Sequence, residues 1–373
     1  MKQNVVDYFL DLVQIDSESK KEKAVAEKLA SDLQKMGAEL TFDTAHQQTG
    51  GNVGNLYAYF PGELEKEPIL FCAHMDTVVP GNGVKPQIKA DRIVTDGSTV
   101  LGADDKSGIA EIIYGIKAIQ DSGKPHAPIE ALFTISEEIG LLGAKNLDYS
   151  LLQSKIGYAL DSHKVGALTI GAPSQNSLKF IIHGKKSHAG AAPEEGVNAI
   201  QIAAEAICKM PMGRIDDETT CSIGIISGGS ATNIVPDVVK IEGEVRSHNP
   251  EKLKEITQKM LNAVKETVTK YKLGDFQASA EIEVHTEYHA FRLAKDHPVV
   301  QLSDKACQAI GIEPQANIGG GGSDVNIFNK HGLEMAICGS GMENVHTVDE
   351  YILLDSLQIG TAWVAAVIRA HSK

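Results

Sequence analysis

Short apolar runs alternate with amphipathic helical stretches over roughly the first 170 residues, and that alternation limits the fold more than any other feature of the chain. Residues 55–60, 69–73, 129–135 and 156–160 are apolar runs of the kind that form strands buried on both faces. Residues 5–15, 24–36 and 109–120 carry the helical period, with Gly37 as the stop of the second. An α/β layer architecture is the expectation. Near Pro173 the pattern changes to strand 177–183, helix 198–209, strands 220–227 and 238–247, helix 251–272 and strand 278–287. This β-α-β-β-α-β order reads as a split βαβ sandwich, a domain of its own. After His297-Pro298 the first pattern resumes with 299–310 and 334–338 and ends in a helix over 348–371. The reading is therefore one domain, 1–174 and 288–373, interrupted by a smaller one, 175–287.

A chain of 373 residues is too long for one ordinary core and suits two. Its 35 basic and 49 acidic residues leave a net charge of −14, a surface that repels phosphate backbones and anionic lipid. The densest basic stretch, Lys20-Lys21-Glu22-Lys23, reads as the solvated face of an opening helix. Neither nucleic acid nor membrane is expected as a partner. Residues 1–7 lack the basic-then-apolar pattern of a signal peptide, and no window reaches the ~18 apolar residues of a membrane span. Five cysteines at 72, 208, 221, 307 and 338, with no C-x-x-C pair, read as buried free thiols in a reducing, cytoplasmic setting.

Four motifs place carboxylates or histidine at the end of a strand-like run or the start of a helix, where sites form in open α/β sheets. His74 and Asp76 end the run 69–73 and share a face if the strand continues, so Asp76 can anchor the imidazole through its second nitrogen. Asp104 and Asp105 precede the 109–120 helix; capping explains one of them, not both. Glu137 and Glu138 follow 129–135, and two carboxylates that close raise each other's pKa unless a cation intervenes. Asp161 ends the run 156–160. His346 stands before Thr347, which with Glu350 reads as the capping box of the last helix. Histidine and carboxylate donors without cysteine suit Zn²⁺, with Mn²⁺ or Co²⁺ as substitutes. Five candidate ligands, His74, Asp104, Glu138, Asp161 and His346, exceed one tetrahedral site and fit two ions sharing a carboxylate. Two divalent ions against three carboxylates leave a positive balance that favours a shared hydroxide.

In that order the motifs resemble those of the zinc aminoacylase/carboxypeptidase family of two-metal peptidases, most closely its peptidase T (tripeptide aminopeptidase) branch. The carrying segments are HMDTV at 74–78, LGADDKSG at 101–108, SEEIG at 136–140, LD at 160–161 and VHTVDE at 345–350. KSHAGAAPEEGVNAI at 186–200, SGGSATNIVPD at 227–237 and IEGEVRS at 241–247 extend the likeness across the inserted region. The resemblance implies an α/β fold: a mixed-sheet zinc-peptidase catalytic domain with an inserted α+β (βαββαβ) lid that also serves dimerisation. It implies a bridging Asp104 with a cis peptide to Asp105, His74 and Asp161 on one metal, and Glu138 and His346 on the other. Asp76 would orient His74, and Glu137 would be the general base. His188 would stabilise the oxyanion, in some relatives across a dimer. Arg246 and Asn233 would hold the substrate, with the 319–324 loop, Gly321 and Ser323 included, lining the cleft. That glycine run lacks the ending of a phosphate loop.

The expected activity is hydrolysis of small peptides by a cytoplasmic two-zinc exopeptidase, a tripeptide aminopeptidase. The 187–200 and 321–326 stretches resemble carboxypeptidase-type members at least as well. A carboxypeptidase or N-acyl-amino-acid amidohydrolase therefore stays open, as does a binding protein that keeps the fold without catalysis.

Overall fold

The structure, a computed structural model, describes residues 4–373. It divides into two compact units: the first takes in residues up to Gly171, Arg292–Gly319 and Ser323–Lys373, and the second Ala172–Phe291 with Gly320–Gly322.

An eight-stranded mixed sheet forms the first unit, in the order Glu39–Phe42, Leu56–Phe60, Ile129–Thr134, Ile69–His74, Ile156–Val165, Glu334–Gly339, Ala167–Thr169 and Gln315–Asn317. Ile69–His74 runs parallel to both its neighbours, and Glu334–Gly339 parallel to Ile156–Val165. Every residue of Ile69–His74 and Ile129–Thr134 is buried, and apart from Glu130 and the terminal His74 and Thr134 these runs are apolar without alternation, as a sheet covered on both faces requires. Each fully buried large apolar side chain contributes about 1.5–3 kcal/mol. Tyr158 of the sheet meets Trp363 of the helix Leu354–His371 edge to face at 5.0 Å.

Ala103–Asp121 is helical except at Asp104 and Asp105, whose backbone is non-helical and whose shared peptide bond is cis. The final helix starts at Leu354 rather than at 348, and Tyr351–Leu353 before it is a strand paired with Arg92–Val94. Thr347 and Glu350 therefore form no capping box. The Glu350 carboxylate turns inward and accepts N–H groups of Leu101, Gly102 and Asp104.

In the second unit the four long strands are Ser174–His183, Thr219–Gly228, Val238–Ser247 and Ser279–Tyr288. They pair antiparallel in the spatial order fourth, first, third, second, which is the split βαβ arrangement, and the short strand Gly213–Asp216 adds an edge. Ser174–His183 alternates buried and half-buried residues throughout. Its inner residues Leu178, Phe180 and Ile182 join Met260 and Val264 of the helix Pro250–Val268 and Ile202 of Ala199–Ile207 in one core.

Among the described residues no helix is long and apolar enough to cross a membrane. All five cysteines are free. Four are buried, and Cys208 is exposed just beyond Ala199–Ile207. Glu22 corrects the expectation of a solvated face at 20–23: it is fully buried.

Candidate metal centre

Three parallel strands bring the acidic motifs together at their carboxyl ends. His74 ends its strand opposite Thr134, the residue before the 135–138 turn. Cys72 lies opposite Ala159, which puts Asp161 level with His74. Period-two geometry in adjacent parallel strands gathers residues more than sixty positions apart, as the switch-point rule expects.

Asp104 stands at the middle. Its Oδ1 is 2.9 Å from His74 Nε2, and its Oδ2 is 3.2 Å from His346 Nε2. His346 Nε2 also lies 3.0 Å from Glu138 Oε2. Ligand atoms of His74, Asp104 and Glu138 fall within 4.8 Å of one another, and so do those of His74, Asp105 and Asp161. All five residues expected as ligands are thus gathered in the first unit, with one carboxylate reaching an imidazole on either side.

Burial pushes the Asp161 and Glu137 carboxyls well up, and nearby acidic groups (Asp104 for the first, Asp161 for the second) add to the effect. Burial acts the same way on Asp104, but hydrogen bonds from His346 and His74 outweigh it and hold that carboxyl low. The two carboxylates facing His346 raise its pKa to about 10. A buried cluster of like charges facing two imidazoles is what a cation would stabilise. The donors, all nitrogen and oxygen, suit two divalent ions of the zinc, manganese or cobalt type.

Asp76 does more than the sequence reading gives it. His74 Nδ1 lies 3.0 Å from the backbone carbonyl of Asp76 and 3.4 Å from its carboxylate. That carboxylate accepts the Glu137 N–H at 2.9 Å, the Glu138 N–H at 3.3 Å and the Ser19 hydroxyl at 2.6 Å. Asp105 likewise ties backbone together, accepting from His74 N–H and Gly108 N–H. Ser136 and His346 both hold left-handed backbone (φ 52° and 63°), a strained state for non-glycine residues that clusters at functional sites.

Sequence reasoning missed the burial of two acids, although the resemblance put Asp324 in the loop lining the cleft. Glu350 holds the segment leading to Asp104, as described above. Asp324, just past the glycine run, is buried and its carboxyl is pushed up to about 6, chiefly by desolvation. Nothing in local periodicity marks either as more than a loop acid.

The remaining expected residues belong to the second unit, apart from Ser323. His188, on Ser187–His188, pairs with Ile234 and is exposed, and the Ala189 N–H donates to the carbonyl of Asn233. Its Nδ1 accepts the N–H groups of Gly190 and Ala191 at 3.1 and 3.0 Å, which leaves the proton of a neutral ring on Nε2. Arg246 is half-buried and grips Glu244 through Nε and Nη2 at 2.8 and 3.1 Å. A side chain at Gly321 would meet open space. Ser323 is buried and caps the helix Asp324–Lys330 in a reciprocal box with Asn326.

The sequence model of peptidase family M20/M25/M40 matches residues 70–370. The aminopeptidase PepT of Bacillus cereus is 42% identical, covers 99% of this chain and 98% of its own, and superposes with a TM-score of 0.90. A tripeptidase of Staphylococcus aureus is 37% identical over 100% and 99% of the two chains, with a TM-score of 0.93. Peptidase T of Brevibacillus brevis is 26% identical over the whole of both chains. The protein is a member of peptidase family M20/M25/M40, in its peptidase T-like branch.

Proposed function

We propose that this peptide hydrolase is a two-metal exopeptidase that removes the N-terminal residue of small peptides, tripeptides first. One observation carries the reading: the Asp104 carboxylate faces His74 with one oxygen and His346 with the other, with a half-buried Glu137 in the same motif cluster. His74, Asp161 and Asp104 would hold one ion, and Glu138, His346 and Asp104 the other. Zinc is the proposed metal. Bound there, two divalent ions would polarise the scissile carbonyl and make water a nucleophile at neutral pH.

Glu137 takes a proton from the attacking water and returns it to the leaving amine. Its backbone is fixed by Asp76, and desolvation raises the pKa of its carboxyl, the direction that suits a proton acceptor and donor. His188 is assigned to the developing oxyanion because its Nε2 is the donor nitrogen. Arg246, Asn233 and Gly321 are assigned to the substrate, and the second unit to the role of lid. Preference for a free amino terminus is supported by the two relatives named as an aminopeptidase and a tripeptidase.

A homodimer through the second unit belongs to the same proposal. Residues 222–228 pair with Val238–Ser247 on one side and with no strand on the other among the described residues. Ile225 and Ile226 stand there 56% and 54% exposed. An open apolar edge of this kind invites pairing with a second copy. Cytoplasmic location is proposed from the free thiols.

Free tripeptides set against the same sequences N-acylated test the substrate, and elemental analysis of the purified enzyme tests the metal. Cleavage of blocked substrates alone would replace the aminopeptidase reading with the amidohydrolase one. Glu137→Ala should keep its metal content and lose turnover by a factor of at least ~100; full activity in that variant would remove the proposed base.

A further inference from the structure

Four consecutive backbone N–H groups, those of Ile135, Ser136, Glu137 and Glu138, end on buried side chains rather than on other backbone. Asn55 Oδ1 accepts from Ile135 at 3.0 Å. Glu22 Oε1 accepts from Ser136 at 3.0 Å, and the two oxygens of Asp76 take Glu137 and Glu138. The cradle comes from three separate parts of the chain. Without it, four donors would point into a buried turn unpaired, a state proteins avoid.

Glu22 has the largest share at the residue before Glu137. Its Oε1 also accepts the Ser136 hydroxyl at 3.0 Å and the Lys20 N–H at 2.8 Å. It is fully buried, and Oε2 has no hydrogen-bond partner among the described residues. As the N-terminal flank of the helix Lys23–Lys35 it makes no side-chain cap, so its carboxyl is free to serve the turn. Ser136, held at φ 52°, is the residue whose backbone must be kept in place if Glu137 is to point correctly.

We infer that Glu22 is a positioning residue: its carboxyl oxygen locks the strained Ser136 backbone and thereby aims Glu137. The inference rests on Glu137 being the general base. It concerns acceptor reach, not charge, because a single oxygen takes all three bonds.

Two conservative variants separate these properties. Glu22→Gln keeps an oxygen at the same reach without the charge; Glu22→Asp keeps the charge and withdraws the oxygen by one methylene. On a free tripeptide, Glu22→Gln should stay within about twofold of wild-type kcat. Glu22→Asp should lose about tenfold or more in kcat with KM within about twofold, since small misplacements of a reacting group are costly. Metal content should be unchanged in both.

Amide hydrogen exchange over residues 135–141 supplies a readout that needs no turnover. Exchange should quicken in Glu22→Asp and not in Glu22→Gln. A loss confined to Glu22→Gln would make charge the operative property, and a loss as large in Glu22→Gln as in Glu22→Asp would show that acceptor reach is not what matters; either result would overturn the inference. Wild-type kcat and protection in Glu22→Asp would overturn it too. In a Glu137→Ala background Glu22→Asp should cost no further residual activity. Full activity of Glu137→Ala alone refutes the base, whereas the exchange result still reports whether Glu22 holds the turn.

Discussion

Glu350 shows what one carboxylate can do for a site without entering it. Three N–H groups, of Leu101, Gly102 and Asp104, converge on it at 2.7–3.0 Å. Desolvation raises its pKa to about 7, even though those donors oppose the rise. Glu350→Ala leaves them unpaired in a buried place and should cost about 1–3 kcal/mol per orphaned group at most. It should also lower the metal content found by elemental analysis, because Asp104 loses its anchor; unchanged metal and melting temperature would contradict this. Glu111 is the opposite case. It is fully buried, neither carboxyl oxygen has a hydrogen-bond partner among the described residues, and burial holds its pKa well up. The folded chain keeps this proton while the unfolded chain releases it near pH ~4.3. The folded state thus binds more protons above that pH, and stability falls as pH rises. Glu111→Gln should remove the dependence, gaining on wild type by up to about 1.4 kcal/mol per pH unit above that value. Urea unfolding at pH 5, 6, 7 and 8 checks it (~5–8 is the window of interest); a constant difference would refute it.

That carboxyl, on the helix Ala103–Asp121, abuts Gly360 of the helix Leu354–His371, and the crossing of the two is set by a reciprocal pair of glycines. A Cβ on Gly115 of Ala103–Asp121 would come within 2.5 Å of Val364, and one on Gly360 of Leu354–His371 within 2.1 Å of Glu111. Each glycine receives a side chain four residues from the other helix's own glycine, so both helices approach closely at both points. Alanine gains nearly 1 kcal/mol of helix propensity over glycine. At Gly115 overpacking should exceed that gain, for a net loss of about 1–3 kcal/mol in thermal or urea unfolding. A stabilised Gly115→Ala would show that the helices can separate freely. The strands tell a related story. The central runs 69–73 and 129–135 are legible because both faces are buried. The short strands Gln87–Lys89, Arg92–Val94 and Tyr351–Leu353 carry no such pattern and form through pairing alone.

At the scale of the whole molecule, a net charge of −14 opposes self-association, yet residues 222–228 of the second unit have a strand on one side only among the described residues, with two exposed isoleucines there. Apolar burial and main-chain pairing at that edge are the forces able to overcome the repulsion. If this edge makes the proposed dimer, Ile225→Lys should shift the protein to monomer in analytical ultracentrifugation, more completely at low salt. An unaltered sedimentation coefficient would place any dimer elsewhere. The relatives' high coverage, 98% and 99% of their own chains, means that both units recur together in them.

The sequence by itself determined the period of each long element, the α/β class, the βαββαβ order of the second unit and the acidic and histidine motifs at strand ends. Those properties follow from burial on two faces, from 3.6- and 2-residue periodicity and from residue chemistry, all of which are local. Tertiary structure alone decided which polar side chains turn inward. Glu22 lies among three lysines, Glu350 in a stretch that looks like a helix cap, and Asn55 at the head of an apolar run. Their partners are the backbone N–H groups of segments up to about 250 residues away in the chain, the separation between Glu350 and Leu101 being 249. A buried acceptor is chosen by the unpaired donor it meets, and that donor exists only once the chain has folded around it.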